Sequence, residues 1–189
     1  MTIDAPTLSD AQIRQLADRL DRPIVLVGMM GVGKSTVGRK LAALLGLDFR
    51  DADEEIEAAA QMSVSEIFER FGEDYFRDGE RRVIARLIEG GRAVIATGGG
   101  AFMQDETRKL ILERGIAVWL DSDVDTLVQR VGRKDTRPLL RGGDPREIIA
   151  RLKAEREPFY AEAPIHVSSG NGPHGEAVTR ILQELGRCL

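Results

Sequence analysis

The run Gly28-Met-Met-Gly-Val-Gly-Lys34-Ser35 has the spacing G-x-x-x-x-G-K-[ST], set between an apolar stretch and a helical one. Glycines at these positions let backbone N–H groups curl around phosphate oxygens, and the following helix N-terminus adds partial positive charge. Lys34 is expected to reach the β- and γ-phosphates of a nucleotide, and the Ser35 hydroxyl to ligate Mg²⁺. Such a loop serves kinases, GTPases and ATP-driven switches alike. The base-reading N-K-x-D of GTPases is excluded, because Asn171 is the only asparagine, and no D-x-x-G occurs. Ala117–Asp121 superficially resembles the strand of an ATPase motor, but it lies late and continues as Ser-Asp.

A second set of residues suits an acceptor. Thr97-Gly98-Gly99-Gly100 would bring bare backbone to the end of a strand, a substrate floor beside a phosphate loop and otherwise a tight turn. Asp51 and Asp53 offer one carboxylate for Mg²⁺ and one to orient or deprotonate an acceptor hydroxyl. Asp53 also fits the N-cap of a helix beginning at Glu54. Arg77, three residues before Glu80, reads either as a structural ion pair or as a cation facing an anionic substrate, oriented by Glu80. Arg156, before Glu157-Pro158-Phe159-Tyr160, is either another such cation or a solvated one. Arg130, Arg133, Arg137 and Arg141, with Gly132, Gly142, Gly143 and Pro138 among them, suggest a mobile cationic flap over about 132–143.

Positioning these groups requires alternating strands and helices. Ile24–Val27, Leu47–Arg50, Ala93–Ala96, Ile116–Leu120 and Ile165–Ser168 read as five short strands. Their continuous apolar character implies cover on both faces, hence a parallel sheet. Helical stripes fall at Val37, Leu41, Leu44 and Leu45, stopped by Gly46, and at Val64, Ile67, Phe68 and Phe71 behind a Ser63–Glu66 capping box. A third runs from Phe76 through Val83, Ile84, Leu87 and Ile88 to Gly90, with Gly79 weakening it by about 1 kcal/mol relative to alanine. Further helices carry Leu110 and Ile111, then Val124, Leu127 and Val128, then Ile148, Ile149 and Leu152 after Asp144-Pro145. This order is that of an open α/β domain with ligands at the carboxyl ends of the strands. Residues 1–22 read as an extension with a short helix capped by Ser9 and Gln12, and 23–189 as the domain.

Composition agrees. The 189 residues are 42% hydrophobic and 31% charged, with 27 Lys plus Arg against 31 Asp plus Glu, for a net charge of -4. One domain with a real core is expected, and a strongly basic nucleic-acid binder is excluded. No apolar run reaches membrane-spanning length, and no signal pattern opens the chain. Cys188 stands alone, while His166 and His174 are too few and too scattered for zinc.

Taken together, Gly28 to Thr36, Asp51-Ala-Asp53, Phe76-Arg77 with Glu80, Gly98–Gly100, Thr136-Arg137-Pro-Leu-Leu140 and Arg156 before Pro158-Phe-Tyr160 resemble the shikimate kinases over 23–187. The resemblance implies a five-stranded parallel sheet in order 2-3-1-4-5, with helices on both sides and a lid. It implies ATP and Mg²⁺ as cofactors and transfer of the γ-phosphoryl group to the 3-hydroxyl of shikimate, in chorismate and aromatic amino-acid biosynthesis. Gly31, Val32, Gly33, Lys34, Ser35, Thr36, Arg130 and Arg137 would hold the nucleotide, with Ser35 and Asp51 at the metal. Asp53, Arg77, Gly98, Gly99, Gly100 and Arg156 would hold shikimate, and Asp53, Lys34 and Arg137 would carry the chemistry. The loop around Ser169–Gly175 would close over the base. A cytoplasmic monomer, acting on small molecules without nucleic acid or membrane, is expected. A gluconate or nucleotide kinase of the same fold, or a non-catalytic nucleotide-binding module, are the alternatives.

Overall fold

A computed structural model describes residues 8–132, 143–170 and 174–189. Five parallel strands, β1 (Ile24–Val27), β2 (Asp48–Asp51), β3 (Ala93–Ala96), β4 (Ile116–Asp121) and β5 (Ile165–Ser168), lie in the order β2-β3-β1-β4-β5. The register sets Ile24 beside both Val94 and Ile116. All four residues of β1 and of β3 are buried, as their unbroken apolar sequences require. The two edge strands instead alternate: Asp48 and Arg50 face outward on β2, His166 and Ser168 on β5.

Strand β2 starts one residue later than the apolar pattern suggests. Leu47 belongs to the end of helix α2 (Lys34–Leu45), where Gly46 adopts φ 64° and the Leu47 N–H donates to Ala42 O at 2.9 Å. Helix α3 (Ala52–Ala60) follows β2 directly, and its N-cap is Asp51, whose side chain accepts from the Asp53 N–H. The expected cap at Asp53 is therefore displaced by two residues, because the strand feeds straight into the helix without a linking turn.

The two stripes around Phe71 and Phe76 lie on one element, α4 (Val64–Glu89), broken at Gly72, where φ 84° and ψ 175° interrupt the helical path. The Ser63–Glu66 capping box opens it. Spanning the break, Ile56, Ile67 and Phe76 form a small satellite core that clamps α3 to α4. Helices α5 (Asp105–Arg114), α6 (Val124–Val131), α7 (Pro145–Tyr160) and α8 (His174–Cys188) complete the layers, with Asp144 capping α7 and Pro145 in its first turn. Helix α1 (Asp10–Arg19) carries the Ser9–Gln12 capping box and sinks Ile13, Leu16 and Ala17, with the following Leu20, into the main core. Arg92 fastens it from below, donating to Ala17 O at 3.0 Å. Among the described residues no helix is long and apolar enough to cross a membrane.

Candidate active site

The carboxyl ends of β1, β2 and β3 deliver the candidate residues to one place. The phosphate loop leaves β1 at Gly28, whose φ of 137° suits glycine and whose Cα lies so close to β4 that a Cβ would stand 2.2 Å from Leu120 O. Lys34 opens α2 with its side chain folded back over the loop, its Nζ donating to Gly28 O at 2.7 Å and Met29 O at 2.9 Å. Only 8% of the residue is exposed, so the ammonium is held where phosphate oxygens would meet it. Val32 is fully buried, Gly31 and Gly33 have positive φ, and Thr36 follows on the first turn of α2.

Beside the loop, the Ser35 hydroxyl donates to Asp51 Oδ2 at 2.6 Å, while Asp51 Oδ1 accepts from the Asp53 N–H at 3.1 Å. A hydroxyl and a carboxylate already in contact are the oxygen donors that suit Mg²⁺ with nucleotide phosphates and water as its remaining ligands. Holding the backbone of Asp53 also fixes the start of that side chain.

The glycine run after β3 forms a ridge, and each residue leaves room for a different functional group. A Cβ on Gly98 would lie 2.8 Å from Glu80 Oε1 and 3.0 Å from Asp53 Oδ1. One on Gly99 would lie 3.1 Å from the Met30 nitrogen and 3.5 Å from Arg156 Nη1, and one on Gly100 only 2.3 Å from Arg77 Nη2. The ridge thus brings Asp53, Arg77, Glu80 and Arg156 together with the phosphate loop. Arg156 Nη1 donates to Gly99 O at 3.1 Å, and the Tyr160 hydroxyl donates to the same carbonyl. Burial pushes the Tyr160 phenol up to about 12, so it remains a neutral donor.

Arg77 donates to Glu80 Oε2 at 2.7 Å and also pairs with Glu73 Oε1 at 3.2 Å. Glu80 is 1% exposed, and its Oε1 has no hydrogen-bond partner among the described residues. Burial raises its carboxyl to about 6; Arg77 opposes the shift, while Asp53 and Glu73 add to it. A carboxyl whose folded pKa is raised contributes stability that is full below its ordinary value and lost as pH rises through the folded one. Glu80→Gln is therefore expected to gain on the wild type by about 2 kcal/mol between pH 4.5 and pH 7.5. Urea unfolding of both proteins at the two pH values measures it, and a constant difference would contradict it.

Arg130 bridges the loop to the far end of the sheet, donating to Val32 O and Gly170 O, each at 3.0 Å. Ser169 Oγ donates to Val32 O at 3.3 Å, which brings the start of the 169–175 loop onto the phosphate loop. Sequence reasoning had no use for His174 beyond that loop, yet its ring packs on Gly33; a Cβ there would come within 2.9 Å of His174 Cε1. Tyr160 closes the Pro158-Phe-Tyr160 run of the motif but carries no role in the sequence reading, although its place on α7 one turn beyond Arg156 is a signal. Arg137 and residues 133–142 of the expected lid lie outside the described residues.

A parallel sheet in this order, with a phosphate loop after its central strand and an acceptor pocket across the ridge, defines a P-loop kinase. The shikimate kinase family model matches residues 30–186, and the chain belongs to that family. It is 64% identical to the shikimate kinase of Novosphingobium aromaticivorans, over 100% of both chains. Against that of Caulobacter vibrioides it is 58% identical, over 90% of this chain and 85% of the relative. The solved shikimate kinase from Acinetobacter baumannii in complex with shikimate matches 90% of this chain and 95% of its own, with 39% identity and a TM-score of 0.86.

Proposed function

We propose that the chain transfers the γ-phosphoryl group of ATP to the 3-hydroxyl of shikimate, giving shikimate 3-phosphate and ADP. The observation that carries this reading is the ridge itself: two arginines and one aspartate converge on Gly98–Gly100, directly across from the phosphate loop. An acceptor with a carboxylate at one end and hydroxyls at the other matches that distribution of charge. Arg77 and Arg156 take the carboxylate, and Asp53 takes the hydroxyl that attacks. Lys34 and the backbone of Gly31 to Thr36 hold the β- and γ-phosphates, and Arg130 stands on the nucleotide side. Arg137 is assigned to transition-state charge by resemblance. Mg²⁺, held by the Ser35 hydroxyl and the Asp51 carboxylate, would neutralise charge shared by the β- and γ-phosphates. The enzyme is taken to act as a cytoplasmic monomer, on the resemblance alone.

Coupled ADP release in the presence of shikimate, gluconate and nucleoside monophosphates tests the reading. Turnover with shikimate alone supports it; turnover with another acceptor only, or none, sinks it. Within the same assay, Arg77→Ala and Arg156→Ala are each expected to weaken shikimate binding by about 2–5 kcal/mol and leave the KM for ATP nearly unchanged. An unchanged shikimate KM in both variants would remove the arginines from the acceptor site.

A further inference from the structure

Ile149, Lys153, Arg156 and Tyr160 of helix α7 follow a spacing of four, three and four, which places them on one face, and Tyr160 stacks on Trp119 of β4 with ring centroids 6.0 Å apart. Ile149, Arg156 and Tyr160 are 0%, 8% and 1% exposed, so this is the buried stripe of the helix. A lysine in its middle is out of character. Lys153, with 18% of its side chain exposed, forms an ion pair with Asp121, at 24%, on the carboxyl end of β4. Asp121 is itself a fixed point: β4–β5 pairing sets it beside Ser168, and its carbonyl accepts from the Ser169 N–H at 2.6 Å.

A partly desolvated ion pair adds little stability over a well-packed apolar pair, yet it discriminates sharply between helix orientations, because only one rotation joins the charges. A roll of roughly 20° carries side-chain tips about 2 Å around a helix, most of a hydrogen-bond length. Arg156 stands one turn beyond Lys153, and its contact with Gly99 O tolerates no such displacement. We infer that the Lys153–Asp121 pair sets the rotation of α7 and thereby aims Arg156 at the acceptor. Lys153 is a positioning residue for acceptor affinity. The inference rests on the proposed function for its kinetic consequence and on the ridge geometry for its structural one.

Three variants test it: Lys153→Met, Lys153→Arg, and Lys153→Met combined with Asp121→Leu. Lys153→Met is expected to raise the shikimate KM about tenfold, with kcat and the KM for ATP within twofold, and to lower Tm because Asp121 loses its lysine and keeps His166 Nε2 at 3.9 Å. Lys153→Arg should return the shikimate KM to within twofold of wild type. The double variant should recover Tm while keeping the raised KM, a split that a purely stabilising pair cannot produce. Recovery of KM together with Tm, or a wild-type KM in Lys153→Met, overturns the inference. A crystal structure of the ligand-free double variant gives an arm independent of turnover: Arg156 displaced from Gly99 O supports it, and the contact retained overturns it. Failure of the wild type to phosphorylate shikimate would defeat the functional reading and leave that structural arm to decide this one.

Discussion

Lys34→Ala is expected to lower kcat by about 10²–10³-fold, the cost of removing one preorganised charge from a developing anionic transition state. The ammonium is buried over its loop, where it donates to the backbone carbonyls Gly28 O and Met29 O. Through them it braces the turn, and on the proposed reading it would meet the phosphoryl oxygens of a bound nucleotide. Alanine leaves both carbonyls without that donor, so a modest fall in Tm should accompany the loss of rate. The helix loses nothing intrinsically, since alanine is the best helix former. Steady-state kinetics with circular dichroism decide the matter: kcat within tenfold of wild type in a folded variant would exclude Lys34 from the chemistry.

Asp53→Asn should keep the KM for ATP and lower kcat by about 10²–10⁴-fold if the carboxylate accepts the proton of the attacking hydroxyl. A loose phosphoryl transition state that needs positioning more than deprotonation would put the loss at the low end of that range. The structure sharpens the control. Asp51, not Asp53, caps α3, so Asp53→Ala removes no cap, whereas Asp51→Ala should cost about 1 kcal/mol. For a chain of this size that corresponds to a fall in Tm of about 2–4 °C. A kcat for Asp53→Asn within threefold of wild type would end its catalytic assignment.

Much of this was legible in the residues because it depends on local rules. The phosphate loop, the capping boxes at Ser9 and Ser63, the stop at Gly46 and the start at Pro145 are set by contacts within a few positions. The three central strands read correctly since burial on both faces leaves an unbroken apolar run. The edge of β2 was harder, as Leu47 is apolar for the sake of the helix end rather than the strand. The cap falls at Asp51 and not at Asp53 as the sequence suggests, because two aspartates flanking one alanine satisfy the same signature. What sequence could not supply was depth. Nothing local distinguishes Glu80, 1% exposed, from Glu73 seven residues earlier on the outer surface, and nothing local marks Lys153 as the partner of a strand 32 residues before it.

The glycine ridge also bears on how the pocket would respond to an inhibitor. A compound resting on Gly98–Gly100 touches main chain where a side chain would push aside the ends of Glu80, Asp53 and Arg77 or crowd the Met30 backbone. Resistance by the usual route, a single bulky substitution beneath the drug, would therefore displace the side chains proposed to hold the acceptor. Escape would have to arise elsewhere, on surfaces that tolerate change. A ligand that draws its affinity from the ridge exploits a contact the enzyme has little freedom to revise.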